Sequence, residues 1–548
     1  MKKLLSILLV AVLILSALSA CGQAASPATA APTAAPAAAA PAPDSDPQPA
    51  QPEAPATALP LSDKGETLSI WMRSDANFSA MGMTSAADST AVQELEKRTG
   101  IKLEVQHPSV GQEVEGFNLL MASDELPDLI EVYHASYNYS GGFDKAIEDG
   151  VFLRLNELID SFAPNYKSII ESSPDLLKSA ITDEGNLPGF FTIDMIEQGS
   201  YFGPLIRKDW LDSLGLPIPV TYDDWHATLT AFKEKKGATA PLILFYTGFT
   251  AMPGLNSGYG FVNPLYMENG KVQYAPLSAG YKEYIAMMAQ WYQEGLIDPD
   301  FNTKRTFFPD DSLTLTGASG LWYSFYTMID LYNMMGIGAG MAEPPVMIPI
   351  QNPVKNAGDK LHARLYNERV GKQMFVVSAD CENPELAVKL MDYLFSPDGE
   401  LLGNYGIEGE TYTLVDGEPI FNEMITNNPD GRSFGELMTK YSIPFTKAYR
   451  WERETQNLSE IGFTAMDLWT EAGHELNMPT VSLSADEGKE YARIMGDITT
   501  YVDETSVKFI LGAEPLSNFD KFVETIKSMG IDDALALQQA ALDRFNKR

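Results

Sequence analysis

The segment from Thr67 to Tyr133 alternates strand and helix patterns, which constrains the fold more than any other feature of the chain. Leu68, Ile70 and Met72 recur at every second position, as the buried side chains of a strand do. Further strand and helix patterns follow in the same segment, at Ile101–Val105, Asp128–Tyr133, Thr90–Gly100 and Glu113–Ala122. This β-α-β-α-β order predicts an α/β fold with a parallel, doubly wound sheet.

The carboxyl ends of parallel strands form one edge of such a sheet, and ligands bind at that edge. Trp71 and Arg73 come at the end of the first strand, and Tyr133 ends the third. We therefore expect Trp71, Arg73 and Tyr133 to line a binding site. The alternative for Trp71 is a place in the core beneath the sheet.

The first twenty residues have the pattern of an export signal. Lys2 and Lys3 precede an apolar run from Leu4 to Leu18, and Ser19 and Ala20 lead to Cys21. A basic start, a short apolar run and small residues before the cleavage point are typical of secretory signal peptides. The alternatives are an ordinary signal peptide with a chance cysteine and a single anchor helix, but the run is short of the roughly 20 apolar residues that span a bilayer.

The Leu-Ser-Ala-Cys ending also resembles the lipobox of bacterial lipoproteins. That resemblance implies cleavage after residue 20 and a lipid on Cys21, so the protein would be extracytoplasmic and anchored to the cell membrane. Residues 21–65 are rich in Ala and Pro and have no apolar periodicity, which predicts a disordered tether between the anchor and a body at residues 66–548.

Charge and cysteine content exclude other classes of protein. The formal net charge of -35 argues against nucleic acid as a partner, because phosphates would be repelled. The chain has only 2 cysteines. If Cys21 carries lipid, Cys381 has no intramolecular disulfide partner, and a buried thiol is the expected role for it.

Helices are predicted along the rest of the body. Thr90 and Gln93 form a candidate capping box for the first helix, and Thr221 caps a later one whose apolar face includes Trp225. Further helical patterns cover about Tyr281–Glu294, a stretch after Asn383 and most of the chain after Asp486. The aromatic residues on these helices are expected to be core residues.

One long motif carries a family resemblance. The sequence from Gly203 to Trp225 contains IRKDWLDSLGLPIPVTYDDW and resembles the signature of family 1 extracellular solute-binding proteins, in the branch that binds oligosaccharides. Two shorter pieces agree and occur in the expected order, Glu125–Ile130 and then Tyr393–Gly399 followed by Asn404–Tyr412. The likeness covers the chain from about Glu66 to its end.

The resemblance implies two α/β lobes with a sugar held in the cleft between them, and lobe closure that signals to the membrane subunits of an ABC importer. Lobe 1 would comprise about residues 66–190 with a segment within 300–400, and lobe 2 about 191–300 with the C-terminal part. The expected partners are an oligosaccharide, the permease and the membrane through its lipid anchor, and the body is expected to be a monomer.

Three more residues are candidates for the sugar site. Arg207 begins the signature helix, and Trp322 and Tyr323 lie in an aromatic stretch that we expect to be a crossing strand near the hinge. The alternatives are a surface ion pair for Arg207 and a core position for Trp322. No cofactor or metal is expected. The resemblance implies that members of this branch often carry a calcium loop at the segment from Lys233 to Pro241, but here the segment is rich in lysine, which would repel a cation.

Two other functions stay open. An exported glycoside hydrolase would use a pair of carboxylates, and 74 Asp and Glu residues make such a pair inevitable somewhere. However, the sequence has no G-x-S-x-G or H-E-x-x-H motif, so we expect no catalytic residues. The second alternative is a peptide-binding or sensory lipoprotein of the same fold, since a fold does not fix its ligand.

Overall fold

The computed structural model describes residues 58–133, 137–244, 254–303, 313–314, 316–338, 344–362 and 364–548. The predicted signal peptide, Cys21 and most of the predicted tether lie outside these residues. No helix in the described part of the chain is both long and apolar enough to span a membrane.

The strands are numbered here in chain order. They are β1 (Thr67–Trp71), β2 (Lys102–Gln106), β3 (Leu129–Tyr133), β4 (Phe190–Asp194), β5 (Phe202–Arg207), β6 (Leu242–Ile243), β7 (Leu265–Glu268), β8 (Lys271–Tyr274), β9 (Leu321–Phe325), β10 (Met347–Pro349), β11 (Val370–Val377), β12 (Tyr412–Val415), β13 (Glu418–Phe421) and β14 (Ala448–Tyr449).

The α-helices are numbered in the same way. They are α1 (Thr90–Thr99), α2 (Glu113–Met121), α3 (Gly142–Glu148), α4 (Asn156–Phe162), α5 (Pro164–Ile170), α6 (Pro174–Ala180), α7 (Lys208–Leu214), α8 (Tyr222–Lys236), α9 (Ala279–Gln293), α10 (Ile329–Gly338), α11 (Pro384–Tyr393), α12 (Pro397–Tyr405), α13 (Glu423–Thr426), α14 (Phe434–Tyr441), α15 (Glu452–Thr455), α16 (Glu460–Thr470), α17 (Ala485–Ile510), α18 (Phe519–Ser528) and α19 (Ile531–Phe545). Short 3-10 helices occupy Ala86–Asp88, Ser257–Tyr259, Ala275–Leu277, Tyr326–Met328 and Leu516–Asn518.

The first sheet has the strand order β14-β4-β11-β3-β1-β2. β1 pairs in parallel with both β2 and β3, so the predicted parallel β-α-β-α-β unit is confirmed. β11 returns antiparallel between β3 and β4, which makes the whole sheet mixed. One hydrophobic core packs on this sheet and includes Leu68 and Ile70 of β1.

The predicted capping box at Thr90 and Gln93 is wrong. α1 begins after Ser89, whose hydroxyl donates to a distant backbone carbonyl at 2.8 Å instead of capping the helix. A capping box forms instead at Ser85, at the start of the 3-10 turn before α1. Gly100 ends α1 as predicted, because its φ of 74° is in the left-handed region that glycine adopts without strain.

The second sheet has the order β10-β5-β9-β6, and a second core packs on it. β5 is antiparallel to β9, so the start of β5 and the end of β9 lie at the same edge. The predicted cap at Thr221 is confirmed and forms a capping box with Asp224, and the Trp225 side chain on α8 is fully buried. The predicted C-terminal helices are confirmed as α17, α18 and α19.

The two sheets form two lobes, and the chain crosses between them along residues 195–201, the described residues 350–362 and 364–369, and residues 450–459. The expectation that the stretch around Trp322 is a crossing strand is wrong, because β9 is an inner strand of the second sheet. From this path we propose that lobe 1 comprises about residues 66–194 and 370–449, and lobe 2 about 202–349 and 460–545.

Candidate functional site

A cavity of about 710 Å³ lies between the two lobes. The first sheet contributes the carboxyl ends of β1, β3, β4 and β14, and the antiparallel β11 contributes its start at the same edge. The second sheet contributes the end of β9, and residues from all three crossing segments complete the wall. The cavity therefore lies at the strand edge that the parallel sheet order predicts for a ligand.

Aromatic side chains line the part of the cavity wall that lies opposite the first sheet. Tyr201 lies just before β5 and Phe325 ends β9, and the two rings are nearly parallel, with centroids 6.0 Å apart. Trp451, on the third crossing segment, lies 6.5 Å from Tyr201 between ring centroids. All three side chains are partly exposed and line the cavity, so flat apolar faces are available to a bound molecule.

The first sheet presents Arg73 and Tyr133 to the same cavity. The Arg73 guanidinium lies 5.7 Å from the centre of the Tyr133 ring, and its Nε is 3.3 Å from a carboxylate oxygen of Glu131. Glu131 also accepts the Arg73 backbone N–H at 2.7 Å and a Gln373 amide N–H at 2.8 Å. Burial raises the pKa of Glu131, and the Arg73 charge opposes that effect.

A chain of side-chain hydrogen bonds runs along the cavity wall. The Asn367 amide donates to the Gln198 side-chain oxygen at 2.9 Å, and the Gln198 amide donates to Asp194 at 2.6 Å. Burial raises the pKa of Asp194 to about 6, although the Gln198 hydrogen bond acts in the opposite direction. Glu368 accepts the Thr480 backbone N–H at 2.6 Å, and burial raises its pKa also.

The crossing segments form a cluster beneath the cavity. The Tyr366 ring lines the cavity and stacks on His474, with centroids 4.0 Å apart and an interplanar angle of 1°. Arg364, which is buried, pairs with Glu197, and His474 lies 3.7 Å from the same carboxylate. These contacts hold two crossing segments and the stretch after α16 together at the place where the lobes meet.

A second cavity of about 890 Å³ adjoins the first and shares Arg73 and Tyr133 with it. Its other walls come from lobe 1, including Tyr137 and Lys447, and from Arg453 on the third crossing segment. A long molecule bound between the lobes could therefore extend past Arg73 into lobe 1.

The structure brings two of the six predicted site residues, Arg73 and Tyr133, to the cavity between the lobes. Trp71 is 5% exposed, and its ring meets Phe117 of α2 and Tyr137 edge to face. These two rings and α2 cover the Trp71 side chain, so it packs in the core of lobe 1. The predicted contact of Trp71 with the cleft is not found in this arrangement.

Arg207, Trp322 and Tyr323 are also in the interior. The Arg207 side chain is buried, pairs with Asp209 and packs over Trp210 at 4.7 Å, so it holds the signature motif together. It ends β5, whereas the cavity lies at the start of that strand, five residues and about 17 Å away at strand spacing.

Trp322 and Tyr323 lie in the middle of β9 and are fully buried. The Trp322 ring meets Tyr332 edge to face, and the Tyr323 hydroxyl donates to Asn352 at 2.8 Å. Phe325, only two residues after Tyr323, reaches the cavity because it is at the end of the strand.

Sequence reasoning missed Tyr201, Phe325, Trp451, Asp194 and Glu368. The sequence could have identified Phe325, because this residue ends an aromatic strand pattern. Tyr201 and Trp451 lie on crossing segments with no periodicity, so their place depends on how the lobes meet. Among the described residues no cluster of acidic, histidine or cysteine side chains could hold a metal ion.

The family model for bacterial extracellular solute-binding proteins matches residues 82–401. This match covers more than half of the chain, and the two-lobed fold with a cavity between the lobes agrees with it. The chain belongs to the bacterial extracellular solute-binding proteins. The resemblance seen in the signature motif is thereby confirmed.

Two relatives are similar over most of their length. This solute-binding protein is 24% identical to the fructooligosaccharide ABC transporter substrate-binding protein FusA of Streptococcus pneumoniae serotype 4, over 83% of this chain and 86% of that one. It is 25% identical to the lipoprotein LipO of Bacillus subtilis, over 81% of this chain and 86% of that one.

Solved structures show the same fold. The alginate-binding protein AlgQ2 without calcium ion superposes with a TM-score of 0.68 at 23% identity, covering 88% of this chain and 99% of that one. An extracellular solute-binding protein from Bifidobacterium longum subsp. infantis superposes with a TM-score of 0.70 at 18% identity, with the same coverage. The two-lobed α/β fold predicted from the sequence is confirmed.

Proposed function

We propose that this solute-binding protein captures an oligosaccharide in the cavity between its lobes and delivers it unchanged to an ABC permease. The observation that carries the proposal is the composition of the cavity wall, where partly exposed aromatic rings from lobe 2 and the crossing segments face polar groups from lobe 1. Sugar rings present apolar C–H faces and hydroxyl edges, and this wall offers a partner to each.

The names of the relatives support a sugar as the solute. FusA binds fructooligosaccharides by its name, and a third relative is the polygalacturonan/rhamnogalacturonan-binding protein YtcQ of Bacillus subtilis, which is 23% identical over 80% of this chain. These ligands are all carbohydrates but differ in sugar and charge, so the relatives favour the class of solute and not a particular one.

Capture would use closure of the lobes. A ligand shifts an open and closed equilibrium only if it binds one arrangement better, and a molecule that contacts both lobes does so. Tyr201 and Trp451 lie on crossing segments, so a sugar bound against them would also contact the part of the chain that bends.

The membrane anchor is part of the proposal. Cys21 would carry the lipid, and an Ala- and Pro-rich tether would hold the lobes away from the membrane. Cys21→Ala should release the protein from the membrane fraction and leave its far-ultraviolet circular dichroism unchanged. Retention of the variant in the membrane would contradict the lipid anchor.

Binding is tested by thermal shift and calorimetry with neutral and acidic oligosaccharides and a peptide library. A ligand that binds only the folded state raises the melting temperature. We expect an oligosaccharide to bind and Trp451→Ala to weaken it about tenfold, which corresponds to about 1.4 kcal/mol. Phe463→Ala is the matched control, because Phe463 is 39% exposed and lies outside both cavities.

The same samples separate a binding protein from an enzyme. A capture protein returns its solute unchanged, so the bound oligosaccharide should be recovered intact by mass spectrometry after a day at 37 °C. Cleavage that disappears in a single carboxylate variant would instead identify a glycoside hydrolase. Binding of peptides and of no sugar would favour a peptide receptor of the same fold.

A further inference from the structure

We propose that the cavity selects a neutral oligosaccharide and rejects chains of uronic acids. This inference rests on the proposed function and adds the charge class of the solute. A uronic acid chain carries one carboxylate per sugar at neutral pH, so a site that accepts it needs cations that are free to pair with it. The cavity is lined by two cations, Arg73 and Lys372, and by two carboxylates, Asp194 and Glu368, so its lining carries no excess of positive charge.

Two carboxylates form part of the wall between the lobes. Asp194 ends β4, and Glu368 lies at the end of the second crossing segment, and both line the cavity. Each accepts a hydrogen bond from one side, Asp194 from Gln198 and Glu368 from the Thr480 backbone. A carboxylate that keeps free oxygen lone pairs accepts further hydrogen bonds from sugar hydroxyls and repels another carboxylate.

Arg73 and Lys372, the two cations that line the cavity, each lie near a carboxylate. The Glu131 side chain is fully buried and lies 3.3 Å from the Nε of Arg73, so that charge is balanced from inside lobe 1. Lys372 lines the cavity near Glu368, and its charge opposes the rise in the pKa of that carboxyl that burial causes. Arg369, next to Glu368 in sequence, donates to the backbone carbonyls of Asp194 and Met195 at 2.9 and 2.7 Å.

The second cavity repeats the pattern. Arg453 donates to Glu454 at 2.9 Å and to a backbone carbonyl at 3.1 Å. The Lys447 ammonium donates to the carbonyls of Ile443 and Phe445, and burial lowers its pKa to about 7. Both side chains are buried, and these bonds take up part of their hydrogen-bonding capacity before a ligand enters.

The long-range electrostatic field of the protein also disfavours an acidic solute. The net charge of the chain is -35, so a polyanion approaching the cleft is repelled before contact, while a neutral chain is not. The repulsion weakens when salt screens it, whereas the effect of carboxylates inside the cavity is screened much less. Salt therefore separates the two contributions.

The experiment measures binding of the full-length protein to oligosaccharides of three to six units by calorimetry at pH 7.5 and 0.15 M salt. The neutral probes are fructo-, malto-, xylo-, manno- and galacto-oligosaccharides, and the acidic probes are oligogalacturonides and oligomannuronates. We expect at least one neutral series to bind, and every acidic series of equal length to bind at least tenfold more weakly than that one.

A double variant tests whether the carboxylates cause the selection. In the double variant Asp194→Asn with Glu368→Gln, the ratio of the Kd for the acidic probe to the Kd for the neutral probe should fall at least threefold at 0.5 M salt. The matched control is Asp497→Asn with Glu524→Gln, which removes the same charge from exposed positions on α17 and α18 and should leave the preference unchanged.

The outcomes are distinguishable. An acidic series that binds the wild type as tightly as any neutral series overturns the inference and leaves sugar capture intact. An equal fall of this Kd ratio in the control variant also overturns the inference, because the overall charge of the protein would then explain the selection. If no series binds, both the proposed function and this inference fail.

Discussion

The middle and the end of a strand have different roles in this protein, although they are only two or three residues apart. Trp322 and Tyr323 in the middle of β9 are fully buried, whereas Phe325 at its end faces the cavity between the lobes. In the first sheet, Trp71 is the last residue of β1 and packs against α2, whereas Arg73, two residues beyond the strand, lines the cavity. The site is therefore formed by residues at or just beyond the ends of strands, and the buried aromatic residues of the strands stabilise the lobes.

The largest effect is expected at the middle of β9. Trp322→Ala should lower the free energy of unfolding of the ligand-free protein by about 3–5 kcal/mol, because it leaves a large cavity in a fully buried site. Urea unfolding followed by circular dichroism measures this. Phe463→Ala serves as the exposed control, and an equal loss in both variants would contradict a core role for Trp322.

A slightly smaller effect is expected at the end of β1. Trp71→Ala should cost about 3 kcal/mol of unfolding free energy, since the ring packs on Phe117 and Tyr137. Trp71→Phe keeps part of this packing and should leave sugar affinity within about twofold of the wild type. If Trp71→Phe instead lost most of its affinity at unchanged stability, the ring would belong to the site after all.

The cavity carboxylate gives a pH-dependent prediction. Burial raises the pKa of Asp194 from 3.8 in the unfolded chain to about 6, so the ionised form destabilises the fold and stability from this group is lost as the pH rises through about 6. Asp194→Asn should raise the unfolding free energy by about 2 kcal/mol at pH 7.5. The gain should vanish below about pH 4, where both states of the wild type bind the proton.

Melting curves of Asp194→Asn and of the exposed control Asp497→Asn between pH 4 and 8 measure this difference. A gain of the same size at every pH would mean that Asp194 does not titrate as its burial requires. The result also concerns the cavity wall. A carboxylate that is costly to ionise in the empty site has few partners there, so it is available to accept hydrogen bonds from sugar hydroxyls.

The sequence predicted the strands and helices of lobe 1 well, because their periodicity is local. Gly100 ends a helix through its own backbone conformation, and such signals do not depend on the rest of the fold. Whether Trp71 lies in the core or in the cleft could not be predicted, since a large aromatic residue at the end of a strand fits both positions. Arg207 was misplaced because the antiparallel pairing of β5 with β9, which puts the cavity at the start of β5, is not visible in the motif.

The remaining cavity residues depend on long-range geometry. Tyr201 and Trp451 are separated by most of lobe 2 and the return through lobe 1, yet their rings are 6.5 Å apart. No local pattern relates them. Asp194 was equally hidden, because its hydrogen bond to Gln198 forms only where the first crossing segment leaves β4.

The most direct test compares two positions of one strand by calorimetry with the oligosaccharide that binds the wild type. Phe325→Ala should raise the Kd about tenfold, or about 1.4 kcal/mol, because it removes a face of the cavity wall. Trp322→Phe should lower the melting temperature and leave the Kd within about twofold. Wild-type affinity in Phe325→Ala, or an equal loss of affinity in Trp322→Phe, would contradict the account that the solute binds at the strand ends between the lobes.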